Sequence, residues 1–326
     1  MRWRKAFAVV GVFSVLLSIG AGTALAADPC DRACLQGHLD KVLAAMIAHN
    51  PSQLMFARTI RYTENGVELR IGDGLWGTAS ARGKYNLYVC DTETGQAGLY
   101  GTLVENGVAT DYIALRLKVF ESLVSEIEAI VVRPSGSNPG GGAGAAVEKA
   151  GQPRSQFLQT VPPAERMSRE KLIEVANSYF TGLANQTGKF TAPFAPTCNR
   201  SENGGQSTNL KDQKPTERTG GIAILALNCE AQQKTGWWAF VTDIRDRRFP
   251  IVDRERGLVM SFGYFDHNAA VRTYTLPDGR KFPNPENVPS TIEISELFQI
   301  GDGKIDQIEA VINNVPYGMR SEVWDK

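Results

Sequence analysis

Three elements recur in one order on either side of residues 134–164, so the fold has to be one that a single chain builds twice. Before that stretch Leu35, Leu39, Val42, Leu43, Met46 and Ile47 repeat at helical spacing; after it Leu172, Ile173, Ala176, Tyr179, Phe180, Leu183 and Ala184 do the same, with Ser168 placed to cap the helix. Thr63-Glu64-Asn65-Gly66 is answered by Ser201-Glu202-Asn203-Gly204, and Ile127-Glu128-Ala129-Ile130-Val131 by Ile308-Glu309-Ala310-Val311-Ile312. The spacing predicts strands over 85–90, 99–104 and 111–119 in the first copy. It predicts strands over 222–227, 237–241, 258–265 and 291–300 in the second, with a hairpin at Asp302-Gly303. Helices first and an antiparallel meander afterwards is an α+β layer pattern.

The boundaries follow. Residues 1–26 read as a signal peptide: Arg2, Arg4 and Lys5, then an apolar run, then Ala24-Leu25-Ala26 as a cleavage site. The run is short for a spanning helix, so no stable membrane anchor is expected and the protein is placed in the periplasm or secreted. Residues 27–133 form one domain and 165–326 the other. Residues 134–164, with Gly140-Gly141-Gly142 and Pro162-Pro163, form a flexible Gly/Pro-rich linker that lets the copies dock as an intrachain pseudo-dimer. Three of the 35 basic residues and none of the 35 acidic ones lie in the signal, leaving a net charge of −3 and no electrostatic footprint for nucleic acid.

Five cysteines in an exported chain point to disulfides with one thiol left over. The expected pairs are Cys198 with Cys229 and Cys30 with Cys34, leaving Cys90 free and buried. With three histidines and no metal-ligand spacing, no metal site is expected.

A helix at the N-terminus of each copy, a bent antiparallel sheet and a closing Ile-x-x-Ile-Glu-Ala strand resemble the nuclear transport factor 2 / ketosteroid isomerase superfamily, including its SnoaL-like members. Ile244-Arg245-Asp246-Arg247-Arg248-Phe249-Pro250, Phe265-Asp266-His267 and Val315-Pro316-Tyr317-Gly318-Met319 also resemble stretches of secreted bacterial and fungal proteins. The resemblance implies a cone-shaped sheet around a hydrophobic pocket. The superfamily holds enzymes, binders and transport factors, so it fixes no activity.

Polar residues that share a strand face with apolar ones are the site candidates. In residues 291–300, Glu296 alternates with Ile292, Ile294, Phe298 and Ile300. A carboxylate in such a row is either tied to a structural partner or is an acid with a raised pKa. Leu258, Met260, Phe262 and Tyr264 share a face of the preceding strand, and Asp266 and His267 follow. Aligning Ile127 with Ile308 sets Glu296 opposite Leu115. Aligning Val104 with Phe265 sets Tyr264 opposite Leu103 and His267 opposite Asn106, so the second copy is the expected working domain.

The resemblance then implies a cofactor-independent lyase or isomerase, retro-aldol cleavage included. Its substrate is a small hydrophobic, ring-containing molecule. Glu296 is the expected proton acceptor, Tyr264 the oxyanion donor, and His267 with Asp266 a second proton-transfer unit. Tyr179, Phe262, Phe298 and Arg245 are the expected ligand contacts. The alternative is an exported module that binds without turnover, and a homo-oligomer is compatible with either.

Overall fold

The computed structural model describes residues 30–134, 143–185, 187–189, 191–321 and 323–324. The expected signal peptide and the centre of the glycine-rich run lie outside the described residues. The first copy comprises α1 (Arg32–Ile47), β1 (Phe56–Glu64), β2 (Val67–Glu68), α2 (Leu75–Thr78), β3 (Ala79–Asp91), β4 (Gln96–Glu105), β5 (Ala109–Phe120) and β6 (Leu123–Val132). After α3 (Ala143–Ala150), the second copy comprises α4 (Arg169–Ala184), β7 (Phe194–Glu202), β8 (Gly205–Gln206), α5 (Cys229–Lys234), β9 (Asp243–Asp253) and β10 (Leu258–His267). It continues with β11 (Thr273–Thr275), β12 (Lys281–Pro283), β13 (Ser290–Gly301) and β14 (Lys304–Val315). The two main sheets have the same order, β2-β1-β6-β5-β4-β3 and β8-β7-β14-β13-β10-β9. In each, the first long strand runs parallel to the last and the other pairings are antiparallel. The chain is therefore a mixed α+β protein of two similar halves, each an open six-stranded curved sheet packed on helices.

Local chemistry sets these elements. Asp31 accepts from the Cys34 amide at 2.8 Å to start α1, and Ser168 accepts from the Lys171 amide at 3.2 Å to start α4. Asn65-Gly66, Asn203-Gly204 and Asp302-Gly303 all adopt positive φ, the conformation a tight hairpin needs. The two Asn-Gly turns do more. Asn65 Oδ1 accepts from the Val131 amide at 2.7 Å and Asn203 Oδ1 from the Ile312 amide at 2.8 Å, so each duplicated turn pins the end of its sheet's last strand.

Two expected strands, 222–227 and 237–241, are absent. Those segments form 3-10 turns at Ile224–Ala226 and Trp237–Phe240 that flank α5. A short apolar run fits a buried strand or a buried turn equally well. Here Asn228 caps α5 through the Ala231 amide, and Gly236 turns the chain with φ +66. Ile222, Ile224, Phe240 and Val241 still enter the core, as a wall of the second cone.

Alternation along the strands gives each sheet two buried faces. The inner face of the first sheet packs Leu103, Ile113, Leu115 and Ile127 on Leu35, Leu39 and Leu43 of α1. The inner face of the second packs Val259, Phe265, Ile294 and Phe298 on Leu172, Phe180 and Leu183 of α4. The outer faces meet each other: Tyr85, Leu87, Tyr100, Tyr112 and Ile130 pack against Ile251, Leu258, Met260, Phe262, Leu297 and Val311. Val147 of α3 and Phe157 enter the same seam, so part of the expected flexible linker is packed structure.

The seam obeys a pseudo-two-fold rule. Arg32, first residue of α1, donates to Asp253 at the end of β9 at 2.6 Å; Arg169, first residue of α4, donates to Asp91 at the end of β3 at 2.5 Å. Asp253 also accepts from the Cys90 amide at 3.1 Å, and Asp91 from the Val252 amide at 3.0 Å. The duplicated glutamates reach across as well. Glu128 lies between Arg116, at 2.7 Å, and Arg248 of the other copy, at 2.5 Å. Glu309 accepts from Tyr85 at 2.7 Å and from Tyr112. Burial alone would push the Glu128 carboxyl up, but Arg248 and Arg116 outweigh it and hold it below the usual range.

Cys30–Cys34 and Cys198–Cys229 are bonded, and Cys90 is free, buried, and pushed by that burial up to about 12. Disulfides belong to an oxidising compartment. Among the described residues no helix is long and apolar enough to cross a membrane. Cys198–Cys229 joins β7 to the start of α5 across 31 residues, whereas Cys30–Cys34 spans four. Loss of Cys198–Cys229 is therefore expected to cost the chain about 2–4 kcal/mol, and loss of Cys30–Cys34 less. Urea midpoints of the whole chain for Cys198→Ala/Cys229→Ala and for Cys30→Ala/Cys34→Ala, each against the wild type, check this; equal losses contradict it.

Candidate functional site

Glu296 lies on the inner face of β13 and is 1% exposed. Ile294, Phe298 and Ile300 extend its row into the apolar core, as the alternation predicted. In the register Glu296 opposes Ala310 of β14 while Leu115 opposes Ala129 of β6, so the expected Glu296/Leu115 equivalence holds.

Two side chains from other elements act on the carboxyl, Tyr179 through its hydroxyl and Arg200 through its charge. Tyr179 comes from α4, its ring edge-on to Phe298 at 5.2 Å, and Arg200 comes from β7. Arg200 Nη1 donates to the Tyr179 hydroxyl at 3.2 Å and its Nε to Ser207 at 2.9 Å. Its guanidinium also faces Glu202 at 3.0 Å and lies over the Trp238 ring at 4.8 Å. Burial raises Glu296 to about 8; Arg200 opposes this, Glu202 adds to it, and contact with the Tyr179 hydroxyl opposes it. One carboxyl oxygen, Oε2, has no hydrogen-bond partner among the described residues. The arrangement is a buried carboxyl, pushed by its burial up to about 8, beside a tyrosine whose hydroxyl accepts from a buried cation.

The other expected site residues separate. Tyr264 pairs with Glu293, and Leu103 with Asp111, so the pairing sets Tyr264 opposite Thr102 and His267 opposite Glu105, one residue from the alignment read off the sequence. A one-residue slip turns every side chain to the other face. Phe262 and Tyr264 accordingly face the seam: Phe262 packs there, and Tyr264 lies under Arg245 at 4.8 Å with its hydroxyl 3.4 Å from Glu293. Neither is on the face that carries Glu296.

Asp266 and His267 point to opposite faces and form no proton-transfer unit. Asp266 accepts two bonds from Arg245, at 2.8 and 3.2 Å, and one from Thr291 at 2.6 Å. Burial disfavours its charge, but Arg245 and Thr291 hold it below the usual carboxylate range. Arg245 is committed to that cluster and not to the cone. His267 faces the cone interior, stacked on Phe240 at 5.8 Å, where burial lowers its pKa against the pull of Glu286 and Asp266. Tyr179 and Phe298 lie where the sequence reading put them, inside the second cone. Arg200 was missed there; its one sequence signal is that it alternates with Cys198 onto the buried side of β7.

Fold and site together define a tandem of cone-like α+β domains whose second cone holds a buried acid. Residues 165–312 match the model of a family described as a domain of unknown function, DUF8021. Among solved structures the chain is similar to AclR, a candidate hydroxylase from Streptomyces galilaeus, at 11% identity over 45% of this chain and 91% of that one, with a TM-score of 0.27. It is also similar to a de novo designed protein with a curved β-sheet, at 14% identity over 45% and 88%, with a TM-score of 0.24. No curated protein matches the chain.

Proposed function

We propose that the second copy is an acid/base site for a small, apolar molecule, exported with the protein and working without a cofactor. The observation that carries this is Glu296: a carboxyl enclosed by Ile294, Phe298 and Tyr179, raised to about 8, with one oxygen unpartnered. A positioned acid whose pKa lies near ambient pH suits proton transfer. At neutral pH it enters as the proton donor rather than the acceptor, protonating a carbonyl or leaving-group oxygen, and the resulting carboxylate then takes a proton back. Tyr179, whose burial pushes its pKa well above that of a free tyrosine against the pull of Arg200, keeps its proton and fills the oxyanion-donor role expected of Tyr264. Dehydration, isomerisation and retro-aldol cleavage all consist of such steps.

The close packing around Glu296 favours a second reading, a binding module that closes over its ligand without turnover. Untargeted mass spectrometry of small molecules released from protein purified out of its native compartment distinguishes them. The enzyme reading expects an apolar ring compound that is converted when added back. Recovery of that compound unchanged supports the binding module, and recovery of only charged, water-soluble molecules overturns both.

A further inference from the structure

The first copy carries its own buried acidic cluster, in a place where the second has His267. Glu64 on β1, Glu105 on β4 and Asp111 on β5 all face the interior of the first cone, and Arg133, just past β6, is the cation among them. Arg133 donates to Glu64 at 2.8 Å and to Glu105 at 2.6 and 3.0 Å. Asp111 is 0% exposed, and neither of its oxygens has a donor among the described residues. The register sets Asp111 against Leu103 and Glu105 against Ala109, so the two are diagonal neighbours on one face of the sheet, close enough for their carboxyls to meet. Two carboxyl groups can touch in this way only if they share a proton.

The segment that closes this end of the cone, residues 69–78, is held by the same carboxylates. The Leu75 amide donates to Glu64 Oε2 at 2.7 Å, and the Thr78 hydroxyl donates to Glu105. Trp76 plugs the apolar core, and its carbonyl lies 2.6 Å from His49 Nδ1. Gly74, at φ +60, is where the backbone comes closest: a Cβ there would lie 2.4 Å from Glu64 Oε2.

We propose that residues 69–78 are a proton-latched lid on the first cone, closed while Asp111 and Glu105 share a proton and released when that proton leaves, opening the apolar interior to a small hydrophobic molecule. Asp111 is reached by Glu105, Glu64 and Arg133, with Tyr62 beside Glu64 and His49 on the far side of Trp76. If all three carboxyls ionise, one guanidinium faces three buried negative charges, and repulsion falls on the two carboxylates that hold the lid. Burial first, then Glu105, raises Asp111 to about 8, so the release belongs to mildly alkaline conditions. The sign is that of a raised acid: the contribution of Asp111 to the latch is complete below the ordinary aspartate range and is lost as pH rises through about 8.

Hydrogen exchange of peptides covering residues 69–78 in the full chain tests this. After correction for intrinsic rates, exchange is expected to rise about tenfold between about pH 7 and pH 9, as the ionised fraction does across a midpoint near 8. In Asp111→Asn, whose amide is a permanent donor to Glu105, it should stay flat. No rise in the wild type, or the same rise in the variant, overturns the proposal. If Asp111→Asn does not fold, wild-type protein labelled with 13C-aspartate serves instead. The protonated-carboxyl infrared band must vanish with the same midpoint as the exchange, and a separate midpoint overturns the latch.

Discussion

Glu128→Ala is expected to lower the stability of the whole chain by about 3–5 kcal/mol, the usual cost of leaving buried charges without their partner. The substitution removes the carboxylate on which Arg116, 2% exposed, and Arg248 of the other copy both converge. Arg116 keeps Glu126 at 2.7 Å, which limits its share of the loss, while Arg248 belongs to the seam itself. Because the copies share their outer faces, unfolding should remain a single transition at lower urea. Adding Arg248→Met should restore part of the loss, since removing both charges is cheaper than removing one. A change below about 1 kcal/mol would mean that the duplicated Ile-Glu-Ala strand does not hold the copies together.

Glu296→Gln is expected to cut turnover of the cone's substrate by about 10²-fold or more, because an amide can neither give nor take the proton. Its effect on stability has the opposite sign to that of Glu128→Ala. Glu296 titrates at about 8 when folded against an ordinary value of 4.5, so the folded state holds its proton more tightly. The stability this contributes is complete below about pH 4.5 and falls away as pH rises towards 8. Gln has no such window. The variant should therefore match the wild type under acid conditions and exceed it by up to about 3 kcal/mol near neutral pH, at 1.36 kcal/mol for each unit of the raised pKa traversed. Urea midpoints for both proteins at about pH 4 and pH 7 check the sign. A variant less stable at neutral pH would show that Glu296 is ionised and paired.

How much of this was legible in the sequence differs from residue to residue. The duplication and the antiparallel strands at the centre of each sheet follow from strong signals, namely paired Asn-Gly turns, a repeated Ile-Glu-Ala strand and helices with one apolar face, but the strand order and the parallel pairing of β1 with β6 and of β7 with β14 were not legible. Glu296 was legible because β13 alternates strictly and its partner β14 closes through a tight Asp302-Gly303 turn, which fixes the register. Tyr264 was misplaced because β10 was aligned to β4 through Val104-Glu105-Asn106 and Phe265-Asp266-His267 alone, and one short match does not fix a register. Arg200 had only its alternation with Cys198, and Glu105 and Asp111 had no local signature: each matters through partners on distant strands, which periodicity cannot see. The reciprocal Arg32–Asp253 and Arg169–Asp91 pairs were hidden for the same reason, although every member of them was plain in the chain.

The claim on which the rest depends is that Glu296 is a neutral acid inside the second cone at physiological pH. Infrared difference spectra of protein labelled with 13C-glutamate, wild type minus Glu296→Gln, taken from about pH 5 to pH 9, measure that directly. The account predicts a protonated-carboxyl band from Glu296 that persists through neutral pH and disappears with a midpoint near 8. A Glu296 band already lost near the ordinary glutamate value of 4.5 would contradict it, leaving a structural carboxylate held by Arg200 and no acid for the chemistry.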